Sequence, residues 1–213
     1  MTIQLRNEEF VLDPSGAMVH PASSSIFIAD LHLGKISHFR RHGFAVPAAA
    51  KDANLRKLSA VIDHYQSETL IFLGDLFHSS YNAEWQAFIE WRRSRNLAVI
   101  LVEGNHDILN VKNYEDADIE VVSSIEADEI RFCHEPEEDP QKLTVCGHVH
   151  PGVRLFARGD QQEVLPCFYE TDSLFVLPAF GLFTGKYLLK PTEAKNVYLV
   201  AGNRVLHLEG DQS

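Results

Sequence analysis

Several short polar groups in this chain stand where an apolar run stops. The most concentrated is Gly104-Asn105-His106-Asp107. Asn offers a neutral amide oxygen, His a ring nitrogen or a proton, and Asp can orient a His through a hydrogen bond. The others are Asp30-Leu31-His32, Gly74-Asp75, Cys133-His134 and Gly147-His148-Val149-His150. None of these improves a hydrophobic core. Together they supply oxygen and nitrogen donors without a thiolate in the same pattern. Such a set disfavours structural zinc and suits a catalytic pair of divalent ions such as Mn, Fe or Zn. Ions about 3.5–4 Å apart need a shared carboxylate and can hold a bridging hydroxide. Asp75, alone on its loop, is the natural bridge.

The elements that must position these groups are short buried strands. Apolar runs at 25–29, 69–73, 97–102, 130–133 and 143–146 each end in one of the polar groups. Residues two apart on an extended chain face the same side, so Asp30 and His32 converge, as do His148 and His150. Helical periodicity falls at 48–65, with Leu55, Leu58, Val61 and Ile62 on one face, and at 83–93, around Trp85, Phe88 and Ile89. Alternating strands and helices predict an α/β fold in which ligands sit beyond the carboxyl ends of the strands. After residue 118 short strands follow one another, near 119–122, 125–127, 130–133, 143–146, 152–157, 164–169, 174–177, 196–200 and 204–208. Residues 1–20 read as short strands around an Asp13-Pro14-Ser15-Gly16 turn.

Length and composition narrow the function. The chain of 213 residues reads as one domain over 1–213, with no linker, repeat or low-complexity tract. No apolar run approaches the ~18 residues of a membrane span. The N-terminus lacks a signal-peptide design. Three cysteines without C-x-x-C spacing suit a reducing cytoplasm. The net charge of −11 argues against bulk electrostatic binding of nucleic acid. A nucleic-acid substrate then needs local positive charge, from bound metals or from a patch drawn from Arg40, Arg41, Arg154, Arg158 and Lys186. His38, His42, His64 and His207 sit in helical or terminal strand contexts and read as surface or packing residues.

The ordered set Asp30-x-His32, Gly74-Asp75, Gly104-Asn105-His106-Asp107, His134 and Gly147-His148-x-His150 resembles the calcineurin-like metallophosphoesterases. Further blocks are similar to the bacterial ligase-associated DNA damage response endonuclease branch. These are Asp30-Leu31-His32-Leu33-Gly34-Lys35, Phe39-Arg40-x-x-Gly43, Gly74-Asp75-Leu76-Phe77-His78, Phe132-x-His134-Glu135-Pro136, His148-x-His150-Pro151 and Leu177-Pro178-Ala179-Phe180-Gly181. The resemblance implies a four-layer αββα sandwich of two mixed sheets flanked by helices. It implies that Asp30, His32, Asp75 and His150 hold one divalent ion and that Asp75, Asn105, His134 and His148 hold a second. Mn is the expected ion, with Fe, Zn or Ni as alternatives. His106 would contact the scissile phosphate or protonate the leaving oxygen, oriented by Asp107, and His78 would assist. Lys35, Arg40 and Arg154 would bind substrate. Where iron-zinc acid phosphatases carry a Tyr, three residues after the bridging Asp, this chain has His78.

The expected activity is hydrolysis of a phosphodiester by in-line attack of a metal-bridging hydroxide. DNA is the leading substrate, with DNA-repair proteins as partners. A nucleotide or cyclic-nucleotide phosphodiesterase suits the acidic charge, and a non-catalytic scaffold with this fold is the third reading. The oligomeric state is not legible.

Overall fold

The computed structural model describes residues 1–35, 52–78, 81–156, 162–182 and 184–209. The chain opens as an antiparallel meander of β1 (Thr2–Leu5), β2 (Glu8–Leu12) and β3 (Met18–His20). The turn between β2 and β3 closes because the Asp13 carboxylate accepts from Ser15 N at 2.8 Å and Gly16 takes a φ of 91°. β4 (Ser25–Ile28) pairs antiparallel with β3. β5 (Thr69–Leu73), β6 (Ala98–Val102) and β7 (Glu120–Val122) then add in parallel, giving the order β1 to β7. The apolar runs of β4 and β5 are buried almost throughout, as parallel strands covered on both faces require.

Helices α1 (Ala53–Tyr65), α2 (Ala83–Arg93) and α3 (Val111–Glu115) cover one face of this sheet. Leu58, Val61 and Ile62 of α1 and Trp85 and Phe88 of α2 pack against Ile26, Ile28, Leu70, Phe72, Val99 and Leu101. Asn82 starts α2 by accepting from Glu84 N and Trp85 N. Trp85 is fully buried, with ring centroids 5.1 Å from Phe77, 5.4 Å from Phe88 and 5.2 Å from Tyr114. Trp85→Ala is expected to cost about 3–5 kcal/mol of stability. The shift of the urea midpoint at unchanged slope measures it.

The other face of the sheet packs on a second sheet. Phe27, Ile71, Leu73 and Val102 meet Phe132, Val145, Phe168 and Phe175, and the rings of Phe27 and Phe132 stack at 4.5 Å. The second sheet comprises β8 (Ile125–Ala127), β9 (Ile130–Phe132), β10 (Leu143–Cys146), β11 (Pro151–Phe156), β12 (Gln162–Glu170), β13 (Leu174–Val176), β14 (Tyr187–Leu188), β15 (Asn196–Ala201) and β16 (Arg204–Glu209). Its order is β14-β11-β12-β13-β10-β9-β8, with β15 and β16 laid on from β12. β9, β10 and β13 run parallel, while β11, β12, β15 and β16 are antiparallel neighbours. The architecture is therefore the expected α/β sandwich of two mixed sheets with helices outside. Among the described residues the α-helices lie on the first sheet. The opposite face of the second sheet carries Cys133, Cys146, Cys167, Val153 and Val197. Helix α3 and strand β14 are additions to the predicted elements.

The parallel strands β4, β5 and β6 point the same way, and the loops that follow them meet the loops after β9 and β10. No helix among the described residues is long and apolar enough to cross a membrane.

Candidate metal centre

Seven side chains on five loops converge at this edge. Asp30 (fully buried), His32 and His150 form one group, with ligand atoms within 4.8 Å of one another. His150 Nε2 is 3.1 Å from Asp30 Oδ1 and 3.3 Å from His32 Nε2. A second group forms around His134. Its Nε2 is 3.2 Å from His148 Nδ1 and 3.2 Å from Asn105 Oδ1. Asp75 lies between the groups. Its Oδ2 is 3.8 Å from His32 Nε2 and its Oδ1 is 3.5 Å from His134 Nε2.

The local backbone explains the convergence, and not by the extended alternation expected from the sequence. β4 ends at Ile28, and Asp30 and His32 take φ values of 55° and 49°. Asp75 (54°), His148 (65°) and His150 (54°) are left-handed too. Asp and His are enriched in this region among non-glycine residues, and each instance in a packed site stores about 1–3 kcal/mol of strain. The left-handed turns fold Asp30 and His32 to one side while Leu31 and Leu33 enter the core. Glycines supply the clearance. A Cβ on Gly74, whose φ is 76°, would lie 2.1 Å from His134 Nδ1. A Cβ on Gly104 would lie 2.5 Å from Asp75 N and 2.6 Å from Asp75 Oδ1. Gly104→Ala is therefore expected to push Asp75 out of place and to weaken divalent-ion binding at least tenfold, with the ion retained after dialysis as the measurement.

The protonation of the site suits cation binding. His134 Nδ1 lies 2.9 Å from the Leu73 carbonyl, which places the proton there and leaves Nε2 as a lone-pair donor. Burial, reinforced by Lys35 and the neighbouring imidazoles, pulls His32 down to about 2, so its ring is neutral. Two nitrogen–nitrogen contacts of 3.3 and 3.2 Å crowd ring nitrogens beside the negative charge of two buried carboxylates. A divalent cation in each group would compensate this. The all-O/N donor set fits Mn, Fe, Zn or Ni, so the residues present fit a metal pair.

His106 stands outside both groups. It is exposed, its backbone N donates to Asp75 Oδ1 at 3.0 Å, and its ring centroid is 6.2 Å from that of His32. His78 sits beside it, 4.2 Å between centroids. Asp107 departs from the expected role. Its buried carboxylate accepts from Asp75 N at 2.8 Å, Gly104 N at 2.9 Å, Phe77 N at 3.2 Å and Tyr114 Oη at 3.4 Å. It clamps the Asp75 loop to the Gly104 turn, and its acceptor sites are spent there rather than on the His106 ring. Burial pushes this carboxyl up to about 6 despite the three backbone donors.

Of the expected substrate-binding residues, Lys35 stands at the centre's edge. Burial lowers its ammonium, against the opposing charges of Asp30 and Asp75. Arg154 is exposed on β11 and donates to Gln162 Oε1 at 3.2 Å. Among the described residues no contact joins it to the imidazole groups, and it stands further along the strand. Arg40, Arg41, His38, His42 and Arg158 lie outside the described residues. His64 packs on Tyr65, and His207 stacks on Tyr198, away from the centre.

The sequence reading missed several supports. On α1, Asn54 donates to Leu31 O at 3.4 Å and accepts from Leu182 N at 3.1 Å. Lys57, one turn on, donates to Phe180 O at 2.8 Å over the Phe180 ring. Phe180 N and Gly181 N in turn donate to Ala29 O and Asp30 O. Glu84 of α2, almost fully buried, accepts from Gly34 N at 2.7 Å. Polar residues on the inward face of an amphipathic helix were the available signal.

Comparison with known proteins identifies the family. The family model for calcineurin-like phosphoesterases matches residues 24–156. The crystal structure of the Pseudomonas putida nuclease MPE is similar over 98% of this chain and 99% of its own, at 31% identity and a TM-score of 0.79. The phosphoesterase Yfce from E. coli is 12% identical over 86% of this chain and 97% of its own, and its TM-score of 0.45 adds nothing to the argument. No curated protein matches the sequence. On the family match and the near full-length likeness, the chain belongs to the calcineurin-like phosphoesterases and is a metal-dependent phosphoesterase.

Proposed function

We propose that the protein, acting as one domain over residues 1–213, is a two-metal phosphodiesterase of nuclease type with DNA as its substrate. The observation that carries this reading is the placement of Asp75, with one carboxylate oxygen turned to the His32 group and the other to the His134 group. Asp30, His32, Asp75 and His150 would hold one ion, and Asp75, Asn105, His134 and His148 the other. When bound, two such ions lower the pKa of a shared water and offset charge on the phosphoryl oxygens. His106, exposed at the mouth, would bond the phosphate or hand a proton to the leaving oxygen, with His78 packed against its ring. Asp107 would keep Asp75 in register rather than orient His106. Lys35 would meet the incoming anion.

The near full-length likeness to a bacterial nuclease supports the nuclease reading. Manganese is the proposed ion, and DNA-repair proteins are the proposed partners. A cytoplasmic setting agrees with three buried free thiols. The net charge of −11 favours a second reading, a nucleotide or cyclic-nucleotide phosphodiesterase.

Purified protein with Mn²⁺ is assayed on bis-p-nitrophenyl phosphate, on the monoester, and on DNA and cyclic nucleotides. Diester turnover lost to a chelator and restored by Mn²⁺ is expected. Faster monoester turnover would make it a phosphomonoesterase. No turnover with two bound ions, or no binding of ions at all, would leave only the scaffold reading.

A further inference from the structure

A cavity of about 200 Å³ adjoins the centre and shares His150 with it. Its walls are unusual for a surface in contact with water. Four of the chain's nine prolines, Pro14, Pro151, Pro166 and Pro178, line it. Proline offers no backbone donor and presents a rigid apolar face. A ligand seated on such walls orders few side chains, so little binding energy is lost to freezing them. One polar atom stands out. Thr184 Oγ1 is buried and has no hydrogen-bond partner among the described residues. An orphaned buried hydroxyl is destabilising, and a ligand's polar edge would supply the missing bond. Lys186 also lines the cavity, its stem laid against Gly152 and its residue exposed to solvent. The neighbouring Lys57 ammonium is already held by the Phe180 carbonyl and ring.

The size limits the occupant. The cavity is smaller than the roughly 300–1,000 Å³ of sites for drug-sized ligands. It suits one flat unit and excludes a stacked pair. Its proline walls and the unpartnered Thr184 hydroxyl match a nucleobase face and one edge donor or acceptor, while the other lining hydroxyl, Ser15 Oγ, already accepts from Ala17 N. An acidic protein gains little from bulk attraction to a polyanion, so neutral shape contacts of this kind are where it can grip its substrate.

We propose that this cavity is the subsite for one nucleoside unit flanking the scissile phosphate, with the base against the proline rings and the Thr184 hydroxyl on its edge. The proposal rests on the phosphodiesterase reading above and names the part of the substrate that reading leaves open.

The test compares thymidine 5′-(4-nitrophenyl phosphate) with bis-p-nitrophenyl phosphate under Mn²⁺, in wild type, Thr184→Val and Gly185→Phe. Gly185 lines the cavity, and a Cβ there would meet nothing within 4 Å, so the added ring fills the space without a clash at its attachment. The ratio of kcat/KM for the thymidine ester over the small diester should fall at least tenfold in Gly185→Phe. In Thr184→Val it should fall about three- to tenfold, as loss of one hydrogen bond predicts, and in both the change should sit in KM. A ratio held at the wild-type value in both variants overturns the subsite. If wild type cleaves neither ester, the phosphodiesterase reading fails and binding alone decides. Methyl NMR of Val200 and Thr184 is then followed during titration with thymidine. Saturating shifts in wild type that vanish in Gly185→Phe uphold a nucleoside site, and no shifts in wild type overturn it.

Discussion

Asp75→Ala is expected to abolish Mn²⁺-dependent diester hydrolysis, by about four orders of magnitude or more, and to remove the pair of ions rather than one of them. The reason is geometric. The two oxygens of this one carboxylate face the two histidine groups, one 3.8 Å from His32 Nε2 and the other 3.5 Å from His134 Nε2. Stability should respond with opposite signs in two conditions. Asp30 and Asp75 are both buried, so without a cation their charges repel and are poorly solvated. Removing one of them should leave the chelated protein no less stable, while wild type alone gains stability in excess Mn²⁺, because a ligand that binds only the folded state stabilises it. Thermal melts of both proteins with and without Mn²⁺ give the four values needed. A variant that keeps one tightly bound ion and measurable turnover would show that Asp75 is not the bridge.

His106→Ala should separate chemistry from metal binding. The ring is exposed and lies outside both ligand groups, so the variant should retain its ions and its fold. Loss of a positioned acid or phosphate donor lowers turnover by about 10²–10⁴-fold, equivalent to roughly 3–5 kcal/mol of barrier. The loss should appear in kcat with KM little changed, and should shrink for a substrate whose leaving group needs no proton, such as p-nitrophenolate. Comparing a 4-nitrophenyl ester with DNA makes that distinction. An equal loss on both substrates would point to phosphate contact rather than proton donation. Loss of metal together with activity would mean that the ring is a ligand after all.

Much of this site was legible in the sequence because each polar group marked the end of an apolar strand. In a parallel sheet those ends share an edge. The strands at 69–73 and 143–146 and the helix at 83–93 were readable to the residue. What escaped has physical reasons. β14 has two residues and α3 has five, too short to show a period. Asp107 follows His106 directly, so proximity suggested that pair. The turn instead carries its carboxylate beneath the loop, where three backbone N–H groups need an acceptor. Asn54, Lys57 and Glu84 reach the Asp30–Gly34 loop through backbone atoms, directly or by way of Phe180, so spacing marks them only as polar residues on a helix's inward face and does not name their partners.

The left-handed turns at Asp30, His32, Asp75, His148 and His150 also bear on the order of folding. Strain summed over five residues is comparable with the whole stability of a domain, so these turns cannot form ahead of the packing that enforces them. Three of them come from the first sheet and two from the second. The centre can therefore assemble only once the sheets have docked, late on the folding path. Ions bound there would stabilise the native state without stabilising the transition state. They would slow the unraveling of the chain and leave the speed at which it folds unchanged.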